Sequence, residues 1–97
     1  MKLNKHQSIV DFITRLEKNT KHNFEICDYW EADLCAIGIK QANKLVYIST
    51  YRFVKTNEPC YDFEFEIILS GEDYEVVKKA EKVSETVLLD EIEDFWN

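Results

Sequence analysis

Lys44-Leu45-Val46-Tyr47-Ile48-Ser49-Thr50-Tyr51-Arg52-Phe53-Val54, then Lys55-Thr56-Asn57-Glu58-Pro59, then Cys60-Tyr61-Asp62-Phe63-Glu64-Phe65-Glu66-Ile67-Ile68-Leu69, reads as one long β-hairpin. The second arm alternates with a period of two. Tyr61, Phe63, Phe65, Ile67 and Leu69 fall on one side, and Asp62, Glu64 and Glu66 on the other. Such alternation, rich in aromatic and β-branched residues, marks a strand with one face in the core. The opposite face is a stripe of three carboxylates. Pro59 closes the turn because it has no N–H to give to a ladder.

On the N-terminal side of the hairpin, Leu34 to Lys40 reads as a central strand, joined to the hairpin through Gln41-Ala42-Asn43, where Asn43 can take a positive φ. Phe24 to Tyr29 reads as a short strand, and Trp30-Glu31-Ala32-Asp33 as a turn or bulge. Ile9, Val10, Phe12, Ile13 and Leu16 recur at helical spacing, which predicts an amphipathic helix from about Lys5 to Asn19 with Asn4 as its N-cap. On the C-terminal side, Ser70-Gly71-Glu72-Asp73 is a tight turn. Tyr74 to Ala80 suits a helix or an edge strand; Gly71 as a hairpin turn and the edge lysines Lys78 and Lys79 favour the strand. Ser84 then caps a final helix whose stripe is Val87, Leu88, Ile92 and Phe95, widened by Leu89 and Trp96. The expected architecture is α+β in two layers over residues 1–97, a single domain: a four- to five-stranded antiparallel meander with N- and C-terminal helices packed on one face and the other face open to water.

The net charge of −7 is unevenly spread. Residues 1–57 carry nine Lys/Arg against six Asp/Glu, a net of +3, whereas residues 58–97 carry three Lys against thirteen Asp/Glu, a net of −10. An acidic C-terminal part repels nucleic acid and acidic membranes and attracts basic partners. The segment Met1-Lys2-Leu3-Asn4-Lys5-His6-Gln7-Ser8 lacks the apolar run of a signal peptide, and no stretch approaches a membrane span. Cys27, Cys35 and Cys60 are odd in number and lack paired spacing, as expected of reduced thiols in a cytoplasmic protein.

Catalytic chemistry finds little to work with. Gly38 and Gly71 lie in no phosphate-binding loop, His6 and His22 stand at opposite ends of the first helix, and there is no Cys-x-x-Cys or His-x-x-x-His. No cofactor and no metal are therefore expected. Asp62, Glu64 and Glu66 have the roughly 7 Å spacing that glycosidase carboxylates use, but the short loops supply no cleft. The stripe is better read as a solvated face, cross-paired with Arg52 or Lys44, or as a docking surface. A second candidate surface is Asp28-Tyr29-Trp30-Glu31-Ala32-Asp33, where Tyr29 and Trp30 stand among the three acids Asp28, Glu31 and Asp33. Tyr and Trp bury much area at interfaces for little rotamer entropy; alternatively, Trp30 packs across the end of the sheet as core.

The run Asp28-Tyr29-Trp30-Glu31-Ala32-Asp33-Leu34-Cys35-Ala36-Ile37-Gly38, followed by Leu45-Val46-Tyr47-Ile48-Ser49-Thr50, and the acidic C-terminal helix ending in Phe95-Trp96, resemble the small cytosolic immunity proteins of bacterial contact-dependent and polymorphic toxin systems. Immunity proteins as a group have unrelated folds, so the resemblance assigns no residue by position. What it implies is a partner: a toxin domain, often a nuclease with a basic cleft, which an acidic surface covers. The leading expectation is thus a non-enzymatic toxin inhibitor docking first through Asp62, Glu64 and Glu66, and second through Tyr29, Trp30, Glu31 and Asp33. The alternatives are a general protein-interaction module or an acidic mimic of nucleic acid, and, third, a small enzyme with an unrecognised site.

Overall fold

In the computed structural model, which describes residues 3–29 and 31–97, five strands form one antiparallel meander in chain order. They are β1 (Glu25–Ile26), β2 (Ala36–Gln41), β3 (Lys44–Ser49), β4 (Cys60–Ile68) and β5 (Tyr74–Ser84), flanked by α1 (Gln7–Asn19) and α2 (Glu85–Trp96). The sheet is ordered by the alternation along β4. Its apolar residues continue rungs across the sheet: Ile37, Ile48, Phe63 and Ala80 in one, Ile39, Val46, Phe65 and Lys78 in the next. Both helices pack on this side. Ile9, Phe12, Ile13 and Leu16 of α1 and Leu88, Ile92 and Trp96 of α2 join the same buried cluster. Each such side chain contributes about 1.5–3 kcal/mol on burial. Phe65 and Phe95 stack with ring centres 4.3 Å apart, and Phe12 meets Tyr61 at 5.1 Å.

Local chemistry sets the ends of the elements. Ser84 caps α2, its Oγ accepting from the Val87 N–H at 3.2 Å. Val87 is 46 % exposed, so the apolar stripe of α2 is narrower than its sequence suggests. The cap of α1 is His6 and not Asn4: its Nδ1 accepts from the Ser8 N–H at 3.1 Å. Lys5, expected in the first turn, is drawn beneath the chain instead, with its side chain 2 % exposed. It holds Asp28 at 2.9 Å and the Asp33 carbonyl at 2.9 Å.

The hairpin is shorter than its sequence suggests. β3 stops at Ser49, and Tyr51–Phe53 form a 3-10 turn. The β composition persists to Val54, but Ser and Thr side chains redirect the backbone. Ser49 Oγ accepts from the Tyr51 N–H at 3.3 Å, while the buried Thr50 is held by Ser8, hydroxyl to hydroxyl, at 2.7 Å. The positive φ of the β2–β3 turn is taken by Ala42 (φ 56°), not by Asn43. Leu69, expected on the core side, is 60 % exposed, because β4 ends at Ile68 and Leu69 closes the next turn through Asp73. Residues 74–80 are strand, and β5 runs further, to Ser84. Among the described residues, no helix is long and apolar enough to cross a membrane.

Candidate docking face

The sheet face turned away from the helices is built from the alternate residues of every strand. Its rungs are Lys40, Leu45, Glu66 and Val76; then Gly38, Tyr47, Glu64 and Lys79; then Ala36, Ser49 and Asp62. This face is less uniformly wet than an amphipathic strand implies. Leu45 is 4 % exposed, Ala36 and Ser49 are also buried, and Tyr47 is half-buried.

The three stripe carboxylates stand in different environments. Asp62 is fully engaged. Arg52 grips it with two hydrogen bonds, Nε at 2.9 Å and a terminal nitrogen at 2.8 Å, and the Lys82 N–H adds a third at 3.0 Å. The Arg52 hydrogen bonds, aided by the Lys82 N–H and opposed by partial burial, hold the Asp62 carboxyl below its usual range. Lys82 sits at a bulge in β5, opposite Asp62, with φ 53°. Asp62 therefore serves the fold, fixing the bulge and the 3-10 turn that carries Arg52.

Glu64 and Glu66 have no such engagement. Neither has a cationic side chain within ion-pair distance among the described residues. Burial, and then the neighbouring Glu64, push the Glu66 carboxyl above its ordinary value. Burial likewise raises the Tyr47 hydroxyl; a hydrogen bond with Ser49 opposes this, and Asp33, Asp62 and Glu64 add to it. Tyr47 thus feels carboxylates from both of the sequence segments that suggested docking.

Those two segments meet on one face. A groove of about 510 Å³ crosses the turn end of the sheet, lined by Tyr29 from one segment and Glu66 from the other, with Leu45, Ile68 and Tyr74 between and beyond them. The turn segment is firmly anchored: the Asp33 carboxylate accepts the Cys35 N–H at 2.9 Å, and Lys5 ties down both Asp28 and the Asp33 carbonyl. Glu31 is exposed, and Trp30 lies outside the described residues. Sequence reasoning missed Leu45, Tyr47 and Tyr74. The signal for the first two was present, since Leu45, Tyr47 and Ser49 alternate with Val46 and Ile48. Apolar residues on both sides of β3 hid which side faced the helices.

Both histidines make contacts within the fold. Besides capping α1, the His6 ring contacts the Ser8 hydroxyl at 2.8 Å. His22 bridges Asn97 at 3.0 Å and Glu93 at 3.5 Å against the edge of Trp96. Cys27, Cys35 and Cys60 are free and partly buried. Burial raises the Cys27 thiol, the reverse of the shift that activates a nucleophile, although Lys40 pulls the other way. Among the described residues, no three His, Cys, Asp or Glu side chains gather in a metal-binding group. What the exposed face can do chemically is offer negative charge over an apolar floor. No protein-family model, no curated protein and no solved structure matches this chain.

Proposed function

We propose that this chain is an immunity-type binding protein, which neutralises a toxin domain by docking its acidic sheet face onto basic groups of that domain. The observation that carries this reading is the Glu64–Glu66 pair, two adjacent carboxylates on a half-buried face with no cationic side chain within ion-pair distance among the described residues. Like charges held together in partial burial cost the free protein stability, and a partner's cations would recover that cost. Acidic side chains of the inhibitor would match the basic groups with which a nuclease holds its substrate, and opposite charge would speed capture. Covering the partner's active site requires no catalysis by the inhibitor.

The test is co-expression with a toxin domain encoded immediately upstream, scored by growth rescue and co-purification. Binding kinetics then locate the face. Replacing Glu64 and Glu66 together by Lys should slow association at least about tenfold at low salt and flatten its salt dependence. An unchanged association rate for the double variant removes the face from the interface, and failure to rescue growth removes the toxin.

A further inference from the structure

The groove at the turn end of the sheet has a composition distinct from the rest of the acidic surface. Its floor is apolar, with the buried Leu45 beside Ile68. Tyr29 and Tyr74, both more than half exposed, line it from the β1 and β5 sides of the sheet. Among the described residues that line it, three carboxylates reach it, Glu66 from β4 and Glu72 and Asp73 from the β4–β5 turn, against the single ammonium of Lys40. That ammonium is already held by Glu25 at 3.1 Å. The turn can fold against the groove because Gly71 adopts φ +57°, where a side chain would be strained.

We infer that this groove receives an arginine from a basic segment of the partner protein, its stem over Leu45 and its guanidinium at Glu66. The inference rests on the docking face described above and deepens it. Charge complementarity selects a cation, since carboxylates outnumber ammonium groups and the one ammonium present is paired. The apolar floor and tyrosines select arginine over lysine. A guanidinium is planar and weakly hydrated, stacks on aromatic faces and binds a carboxylate through two N–H groups, whereas an ammonium keeps its water. The volume lies within the range of sites that enclose a small ligand or a long side chain. Burial and the neighbouring Glu64 raise the Glu66 carboxyl, and a guanidinium held against it would act in the opposite direction.

The test uses the free, full-length protein and needs no toxin. An acetylated, amidated Gly-Arg-Gly peptide is titrated into the isotopically labelled protein and followed by amide and methyl chemical shifts, with lysine and citrulline versions as controls. The expected result is weak, saturable binding with shifts at Tyr29, Leu45, Ile68 and Tyr74, at least about threefold weaker for the lysine peptide and absent for citrulline. Tyr74→Ala and Glu66→Gln, both at accessible positions, should each weaken the arginine response by about threefold or more while leaving the remaining spectrum in place. Equal response to lysine, shifts centred on the acidic surface of α2, or indifference to both substitutions would each overturn the inference. Because the readout is independent of toxin capture, loss of the groove leaves the Glu64–Glu66 assignment standing, and loss of the toxin reading leaves the groove measurable.

Discussion

At the scale of the residue, three carboxylates that look alike in sequence have different physical roles. Alternation along β4 places Asp62, Glu64 and Glu66 on one face, which is all a period of two can convey. Asp62 is separated from the other two by tertiary partners, since Arg52 reaches it from a 3-10 turn and Lys82 from a bulge, neither of which leaves a periodic trace. Glu66 has the opposite environment. A carboxyl whose folded value lies above its unfolded one destabilises the fold wherever it is ionised, and this cost disappears once falling pH protonates it. Glu66→Gln should therefore stabilise the free protein at neutral pH by a few tenths to about 1 kcal/mol, discounted because the site is partly solvated. The gain should shrink as pH falls through the carboxylate range. Urea unfolding at neutral pH and at about pH 4 measures both effects. A loss of stability at neutral pH would mean that the carboxylate has a favourable contact inside the protein, contrary to a face that keeps its charge for a partner.

At the scale of the element, the helices and β4 were legible because each carries one dominant period along most of its length. β5 was legible for another reason: Gly71 and the lysines at its edge decided between strand and helix, although the Lys82 bulge was not foreseeable. The end of β3 was hidden, because Tyr51, Phe53 and Val54 keep strand composition while the Ser49 and Thr50 side chains change the backbone path. The β2–β3 turn was legible in position but not in detail. Gln41 pairs with Lys44 across two residues, and the first of them, Ala42, takes the left-handed φ. A β-carbon there costs about 1 kcal/mol relative to glycine, partly offset by glycine's greater freedom in the unfolded chain. Ala42→Gly should therefore raise stability by up to about 1 kcal/mol, or about 4–8 °C in Tm for a domain of this size. Calorimetry at neutral pH measures it, and a lowered Tm would show that the turn relaxes to ordinary φ values in solution.

At the scale of the whole molecule, the groove could not be foreseen because it joins residues far apart in sequence, Tyr29 and Tyr74, through the order of five strands. The same sheet ties both helices together on its other face. Glu85, at the start of α2, receives the Arg15 guanidinium of α1 through Nε at 2.8 and 3.0 Å and a terminal nitrogen at 2.7 Å. It also accepts the Tyr61 hydroxyl of β4 at 2.8 Å. Burial acts to raise the Glu85 carboxyl, but these hydrogen bonds outweigh it and hold the group below its usual value. Such a group stabilises the fold above its unfolded pKa, and that stability is lost as pH falls through the lower, folded value. Glu85→Gln should therefore cost about 1–2 kcal/mol at neutral pH, a figure kept low because Arg15 is half-exposed. The penalty should narrow as the medium is acidified below the ordinary carboxylate range, since the native Glu85 then loses its charge as well. General self-repulsion of the −7 chain changes nearly in parallel in the two proteins and drops out of the comparison. Tm followed from neutral to acid pH should show the two curves converging at the acid end. Parallel curves would indicate that Glu85 contributes through packing alone, and that the link from α1 through α2 to β4 does not depend on charge.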